Sequence, residues 1–281
     1  MIEKLQDERI FINHGPIQMV IDAYVKGERK AEIGLEAGRH VLDQFNKLIQ
    51  YIPPLKSMRA YTSTSSRFPE VLNKMIIAVE KSGYNELNTL GAVAGSFSDI
   101  ALEKAVELGA TRVIVNNGGD IACTDLEGKS IKVGIPYATK DEKRQLILEI
   151  AKDENIHGIC TSGMGGRSFT KGIATAAVAL ASDAATADAC ATYLGNMTNV
   201  EDENIIRCLA EEIDSETDIK GQLITVKVNE ISQEKKYRAL LNGLNAAEDL
   251  YNRGIIEGAI ICIEDIIVKC PENLKVESVQ L

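Results

Sequence analysis

The segment Val113-Ile-Val-Asn-Asn-Gly-Gly-Asp-Ile-Ala122 constrains this chain more than any other. Its β-branched start reads as a buried strand. That strand stops at Asn117, Gly118 and Gly119, residues that accept positive φ where others do not. The backbone must turn sharply there, and Asp120 stands at the exit. Two readings stay open. In one, the glycines aim N–H groups outward, let a ligand come close and present Asp120 at a strand end, where α/β proteins often place their chemistry. In the other, the segment is a hairpin turn and Asp120 a solvated turn residue.

The rest of the chain surrounds this turn with alternating strands and helices. Ile17–Tyr24 alternates as a strand, and Ile33–Tyr51 has helical apolar spacing that ends before Pro53-Pro54. Pro69 opens a helix through Val79. Ser98–Leu108 is expected to be a helix capped by Ser96 or Ser98 and closed at Gly109. Ile131–Ile135 reads as a strand stopped by Pro136, and Lys140–Asp153 as a charged amphipathic helix. Ala184–Leu194, made of small residues, and Ile205–Ile213 read as helices. Leu223–Val228 is a strand, Lys235–Arg253 a helix, and Ile255–Val268 two closing strands. The alternation predicts one α/β (α+β mixed) domain over residues 1–281, with helices packed on mixed sheets and a soft boundary near 199–218.

Composition excludes several function classes. The 281 residues carry a net charge of −10, which argues against a nucleic-acid surface. A small anion held by backbone N–H groups stays compatible with that charge. The six cysteines show neither C-x-x-C nor zinc-ribbon spacing, so they read as reduced thiols of a cytoplasmic protein. The N-terminal MIEKLQDERIFINHG lacks the apolar core of a signal peptide. No run approaches the roughly 18 apolar residues of a spanning helix. The expected partner is a small molecule, neither nucleic acid nor membrane, and a homodimer is left open. His14, His40 and His157 have no metal-ligand spacing and read as structural.

Three further segments could carry chemistry. Asp188 and Thr192 stand four apart on one helix face among alanines. A carboxylate and a hydroxyl one turn apart suit a hard cation such as Mg²⁺, with water or phosphate completing its shell. The bland alternative is a tightly packed helix whose Asp188 caps a neighbour. Thr161-Ser-Gly-Met-Gly-Gly-Arg-Ser168 offers three glycines, three hydroxyls and Arg167, either an anion cradle or a solvated hinge. Leu90-Gly-Ala-Val-Ala-Gly-Ser-Phe-Ser-Asp99 lets backbone approach closely at Gly91 and Gly95, with Asp99 as a functional group or as helix punctuation.

In this order the motifs resemble the ApbE-like superfamily, whose best-known members are FAD:protein FMN transferases. The elements are the Gly-rich Leu90–Asp99, N-x-G-G-D at Asn116–Asp120, T-S-G at Thr161–Gly163 and A-D-A-x-x-T at Ala187–Thr192, across about 40% of the chain. Gly15–Ala23, the doubled Asn116-Asn117 and Gly166-Arg-Ser-Phe169 extend the resemblance to the UPF0280 proteins over nearly the whole length. It implies an ApbE-like (T-fold-like) domain, with Asp188, Thr192 and a main-chain carbonyl near Ala94 holding Mg²⁺. It places Gly118, Gly119, Asp120, Thr161, Ser162 and Gly163 along FAD or another flavin nucleotide, and it gives Asp120 and Asp188 the catalytic role of orienting an acceptor. The chain has Ala94-Gly95 where the transferases carry a lysine, and Arg167–Gly172 replaces their following His-Pro-Thr-Gly element. Arg167 is therefore expected to take an anionic group of the ligand. The implied function is an Mg-dependent flavin- or nucleotide-binding protein, a transferase or hydrolase acting on FAD or a related pyrophosphate. The alternatives are a sulfur-metabolism protein of homocysteine formation and a non-catalytic binding protein of the same fold.

Overall fold

The computed structural model describes residues 1–56, 61–139, 142–166 and 168–280. The chain opens with β1 (Ile2–Lys4), β2 (Ile10–His14), β3 (Ile17–Val25) and the short β4 (Glu28–Arg29). Helices α1 (Ala31–Ile49), α2 (Ile52–Leu55), α3 (Glu70–Ser82) and α4 (Val93–Glu107) follow. The next strands are β5 (Arg112–Asn117), β6 (Asp120–Asp125), β7 (Ile131–Thr139), β8 (Glu142–Ile150), β9 (Gly158–Ser162) and β10 (Ala176–Ala181). Then come α5 (Ala184–Met197), β11 (Ile205–Leu209), α6 (Ala210–Ile213), β12 (Leu223–Val228), α7 (Gln233–Asn252), β13 (Gly258–Ile263), β14 (Ile266–Cys270) and β15 (Val276–Gln280).

The main sheet runs β1-β2-β3-β5-β6-β9-β10-β13-β14, with β4 on β3, and its pairings are antiparallel. One face buries Met19, Ile21, Val113, Val115, Ala177 and Ala179 under the helices. The other face buries Ile159, Val178 and Ile260 against a second sheet of order β15-β8-β7, with Ile121 partly buried beside them. Residue alternation along each strand sends neighbours to opposite layers, one helical and one β. A fold of mixed helices and antiparallel sheets is thus observed. Residues 199–218, the expected soft boundary, contain β11 and α6, and their Val200 and Ile205 are buried in the helix-side core.

Several sequence expectations are corrected. Lys140–Asp153 is not helical. Its first two residues lie outside those described, and Glu142–Ile150 is β8, paired with β7 on one side and β15 on the other. Leu146, Leu148 and Ile150 alternate inward, at most 5% exposed, so burial between two partner strands overrides a charge pattern that suits either period. Pro136 does not stop β7, because β7 is an edge strand and its missing N–H costs no ladder bond there. Ile205–Ile213 is a strand followed by one helical turn. Helix α4 begins at Val93, which puts Ser96 and Ser98 inside it, where they bond back to the carbonyls of Ala92 and Ala94. The expected Gly109 terminus holds, with φ of 96° and its N–H on the Val106 carbonyl at 2.9 Å.

Candidate ligand and cation site

The segment at 116–121 is a two-residue hairpin. Asn117 pairs with Asp120, and Gly118 and Gly119 bridge them with φ of 69° and 110°. Two positive φ values in succession give the tight turn that matches strand twist. Of the two sequence readings, the hairpin describes the backbone, yet Asp120 is not a solvated turn residue. It lines a cavity of about 480 Å³ under the helices, together with Ala94, Asn117, Asp188 and Thr192.

Helices α4 and α5 build this cavity by capping each other. Asp99 of α4 accepts the N–H groups of Ala184 and Ala185 at the start of α5, each at 2.9 Å. Asp188 of α5 accepts the N–H of Gly95 in the first turn of α4 through Oδ2, also at 2.9 Å. The helices touch so closely that a Cβ on Gly95 would lie 2.1 Å from the Ala184 carbonyl oxygen. α5 also packs against α3, β9 and β10, and its small residues allow close approach on those sides too. The bland reading of Asp188, as a cap on a neighbour, therefore holds alongside its place on the cavity wall. Asp99 is punctuation too, but of α5 and not of its own helix.

Burial and the neighbouring Asp120 carboxylate push Asp188 well above the ordinary carboxylate range, against the Gly95 N–H that holds it down. Asp99 is pushed up to about 7, chiefly by burial, with the two α5 amides opposing. Two carboxylates on one low-dielectric wall repel unless a proton or a cation sits between them.

The donors around that wall are oxygens. The Ala94 carbonyl accepts Asn117 Nδ2 at 3.2 Å, and Ser98 Oγ lies 3.2 Å from it. Ser98 Oγ also reaches the Asp120 carbonyl, at 2.8 Å, and so ties β6 to α4 at this wall. Asp188, Asp120, Thr192 and the Ala94 carbonyl are a hard-oxygen set that fits Mg²⁺. Among the described residues no three His, Cys, Asp or Glu side chains converge as metal ligands, so water or ligand oxygens would have to complete such a shell.

The other expected site residues are not brought here. Gly118, Gly119 and Thr161 line a second cavity, about 710 Å³, between the main sheet and the β7–β8 hairpin. The Gly119 N–H is already taken by Asn116 Oδ1 at 2.9 Å. Ser162 and Gly163 are buried and line neither cavity, and Ser162 Oγ has no hydrogen-bond partner. Arg167 lies outside the described residues. Cys160 is buried with its thiol on the Ala184 carbonyl at 3.3 Å, so it is a packing residue.

Sequence reasoning gave Asn117 only a backbone role and did not single out Asn196. Asn117 pins the cavity floor, donating to the Ala94 carbonyl and accepting the Gln18 N–H at 3.2 Å. Asn196 extends the Asp188–Thr192 face by one more turn and accepts the Lys171 N–H at 2.9 Å. Its spacing of eight from Asp188 was a readable signal.

An antiparallel sheet clasped between a helical layer and a small second sheet, with two carboxylates in a cavity under mutually capped helices, defines an α+β class of fold. The family described as AbpE bacteria matches residues 2–275. A UPF0280 protein of Methanococcoides burtonii is 35% identical over 63% of this chain and 74% of its own length. One of Methanosarcina barkeri is 37% identical over 56% of this chain and 59% of its own length. Among solved structures, the Pseudomonas stutzeri flavinyl transferase ApbE, apo form, overlaps with a TM-score of 0.37 and 15% identity, over 69% of this chain and 51% of that one. The chain belongs to the ApbE-like proteins, in their UPF0280 branch.

Proposed function

We propose that this protein binds a flavin or related nucleotide with Mg²⁺ at the Asp188 cavity and acts there as a transferase or hydrolase on FAD or a similar pyrophosphate. The observation that carries this reading is the pairing of Asp188 and Asp120 on one cavity wall beside Thr192 and the Ala94 carbonyl. Two repelling carboxylates with oxygen neighbours are a ready place for a divalent cation. Asp188, Thr192 and the Ala94 carbonyl would hold it, and it would supply neutralisation of charge as a phosphoanhydride opens. The Asp120 carboxylate orients the attacking acceptor by accepting its hydrogen bond. Phe45, Leu48, Phe97 and Ile17 give the cavity an apolar side suited to a flat ring. All six cysteines are free and five are buried, which supports a reducing, cytoplasmic setting. No helix among the described residues is long and apolar enough to cross a membrane.

The test is a titration of the purified protein with FAD, FMN and ADP, with and without Mg²⁺, together with a spectrum for co-purified flavin. Cation-dependent binding of at least one nucleotide, lost in Asp188→Ala, is the expected result. Binding of none, or binding indifferent to both Mg²⁺ and Asp188, overturns the reading.

A further inference from the structure

We infer that Lys171 is the ligand-facing cation of the Asp188 cavity, and that it exchanges its Glu86 partner for a phosphate of the bound nucleotide. The inference rests on the nucleotide reading above and names the group that recognises the anion.

Among the described residues lining the cavity, the cations are Lys56 and Lys171, set against six carboxylates. A phosphate entering such a wall is repelled unless a positive group meets it. Lys171 is the better placed of the two. Its side chain is 19% exposed, against 34% for Lys56. Its backbone is fixed at both ends, the N–H on Asn196 Oδ1 at 2.9 Å and the carbonyl taking Thr225 Oγ1 at 3.0 Å. Asn196 lies two turns beyond Asp188 on α5, ~12 Å along the axis at 1.5 Å per residue. The Lys171 loop and Asp188 therefore bound one nucleotide-length floor.

The partner that Lys171 now holds is poorly committed. Lys171 Nζ bonds Glu86 at 2.7 Å, but the Glu86 side chain is 64% exposed and reaches the lysine from the solvent side. Glu86 also accepts the Tyr84 hydroxyl at 3.1 Å, and Tyr84 is stacked on Tyr193 with centroids 4.6 Å apart. Glu86 thus keeps an anchor when the lysine leaves. An exposed ion pair shifts an equilibrium roughly twofold to fivefold. A charge-assisted bond to phosphate in a confined site shifts it roughly 10- to 100-fold, so the exchange runs toward the ligand. The rival role is a brace that ties the loop at 168–172 to the segment at 84–88.

Calorimetric titration with ADP in the presence of Mg²⁺ separates the two, using wild type, Lys171→Gln and Glu86→Gln. If Lys171 takes the phosphate, Lys171→Gln weakens ADP at least 10-fold. Glu86→Gln, which removes the competitor, tightens it roughly twofold to fivefold. Opposite signs are the result expected, and a brace cannot produce them. Weakening by both variants, or no change in either, overturns the assignment while the nucleotide reading survives in the wild-type isotherm. If wild type binds none of ADP, FMN or FAD, both fall together. Should Lys171→Gln fail to fold, the sign of the Glu86→Gln effect decides alone.

Discussion

Replacing Asp99 by asparagine probes the joint that aligns α4 with α5, and with it the cavity. Asp99 is 5% exposed and serves two buried amides, those of Ala184 and Ala185. In the folded protein it keeps its proton up to about pH 7, whereas the ordinary value is 3.8. Between those values the folded state binds the extra proton, so stability falls as pH rises through the window and levels off above about 7. At ~1.4 kcal/mol per pH unit, ionising Asp99 inside the fold costs about 4 kcal/mol in all, and about 3 kcal/mol of that falls between pH 5 and pH 8. Asparagine does not titrate. Its one carbonyl replaces one N–H acceptor and strands another donor, a loss of ~1–3 kcal/mol at every pH. Urea unfolding of both proteins at pH 5, 6, 7 and 8 isolates the effect, because the remaining groups are common to the pair. The variant should trail wild type at pH 5 and gain on it by about 3 kcal/mol at pH 8. A deficit that stays constant or grows toward pH 8 would refute the reasoning. It would mean that the carboxylate is charged in the fold and that the helix N-terminus outweighs burial.

Asp188→Ala should abolish Mg²⁺-dependent nucleotide affinity, measured by calorimetry, while thermal unfolding stays near wild type, because loss of the Gly95 cap is offset by relief of repulsion with Asp120. Gly95→Ala should lower stability by ~1–3 kcal/mol or more through the clash with the Ala184 carbonyl, read as a fall in Tm of several degrees. Leu148→Ala should cost ~2–5 kcal/mol in denaturant unfolding, as expected for a buried leucine between two sheets. The same change in an exposed helix would be nearly silent.

Local chemistry alone fixed several features of this protein. The glycines at 118 and 119 dictated a tight turn because only they accept two successive positive φ angles cheaply. The spacing of Asp188 and Thr192 put them on one face of α5 because a helix repeats every 3.6 residues. Small residues along α5 announced close packing, and close packing is what Gly95 and Ala184 show. Tertiary structure decided what meets what. β8 is a strand because β7 and β15 flank it, and no window of its own sequence contains those partners. Asp120 joins Asp188 because β6 lies beneath α4 and α5, while the turn that presents it faces elsewhere. Thr161 and Ser162 are adjacent in the motif yet face opposite layers, since strand neighbours alternate. Motif order kept the two together, and the pleat of β9 separated them. The pairing of Lys171 with Glu86 spans 85 residues, and Asn196 beside Lys171 is 25 residues from it. Periodicity reaches only a few turns, so contacts at that distance depend on how the helices are laid on the sheet.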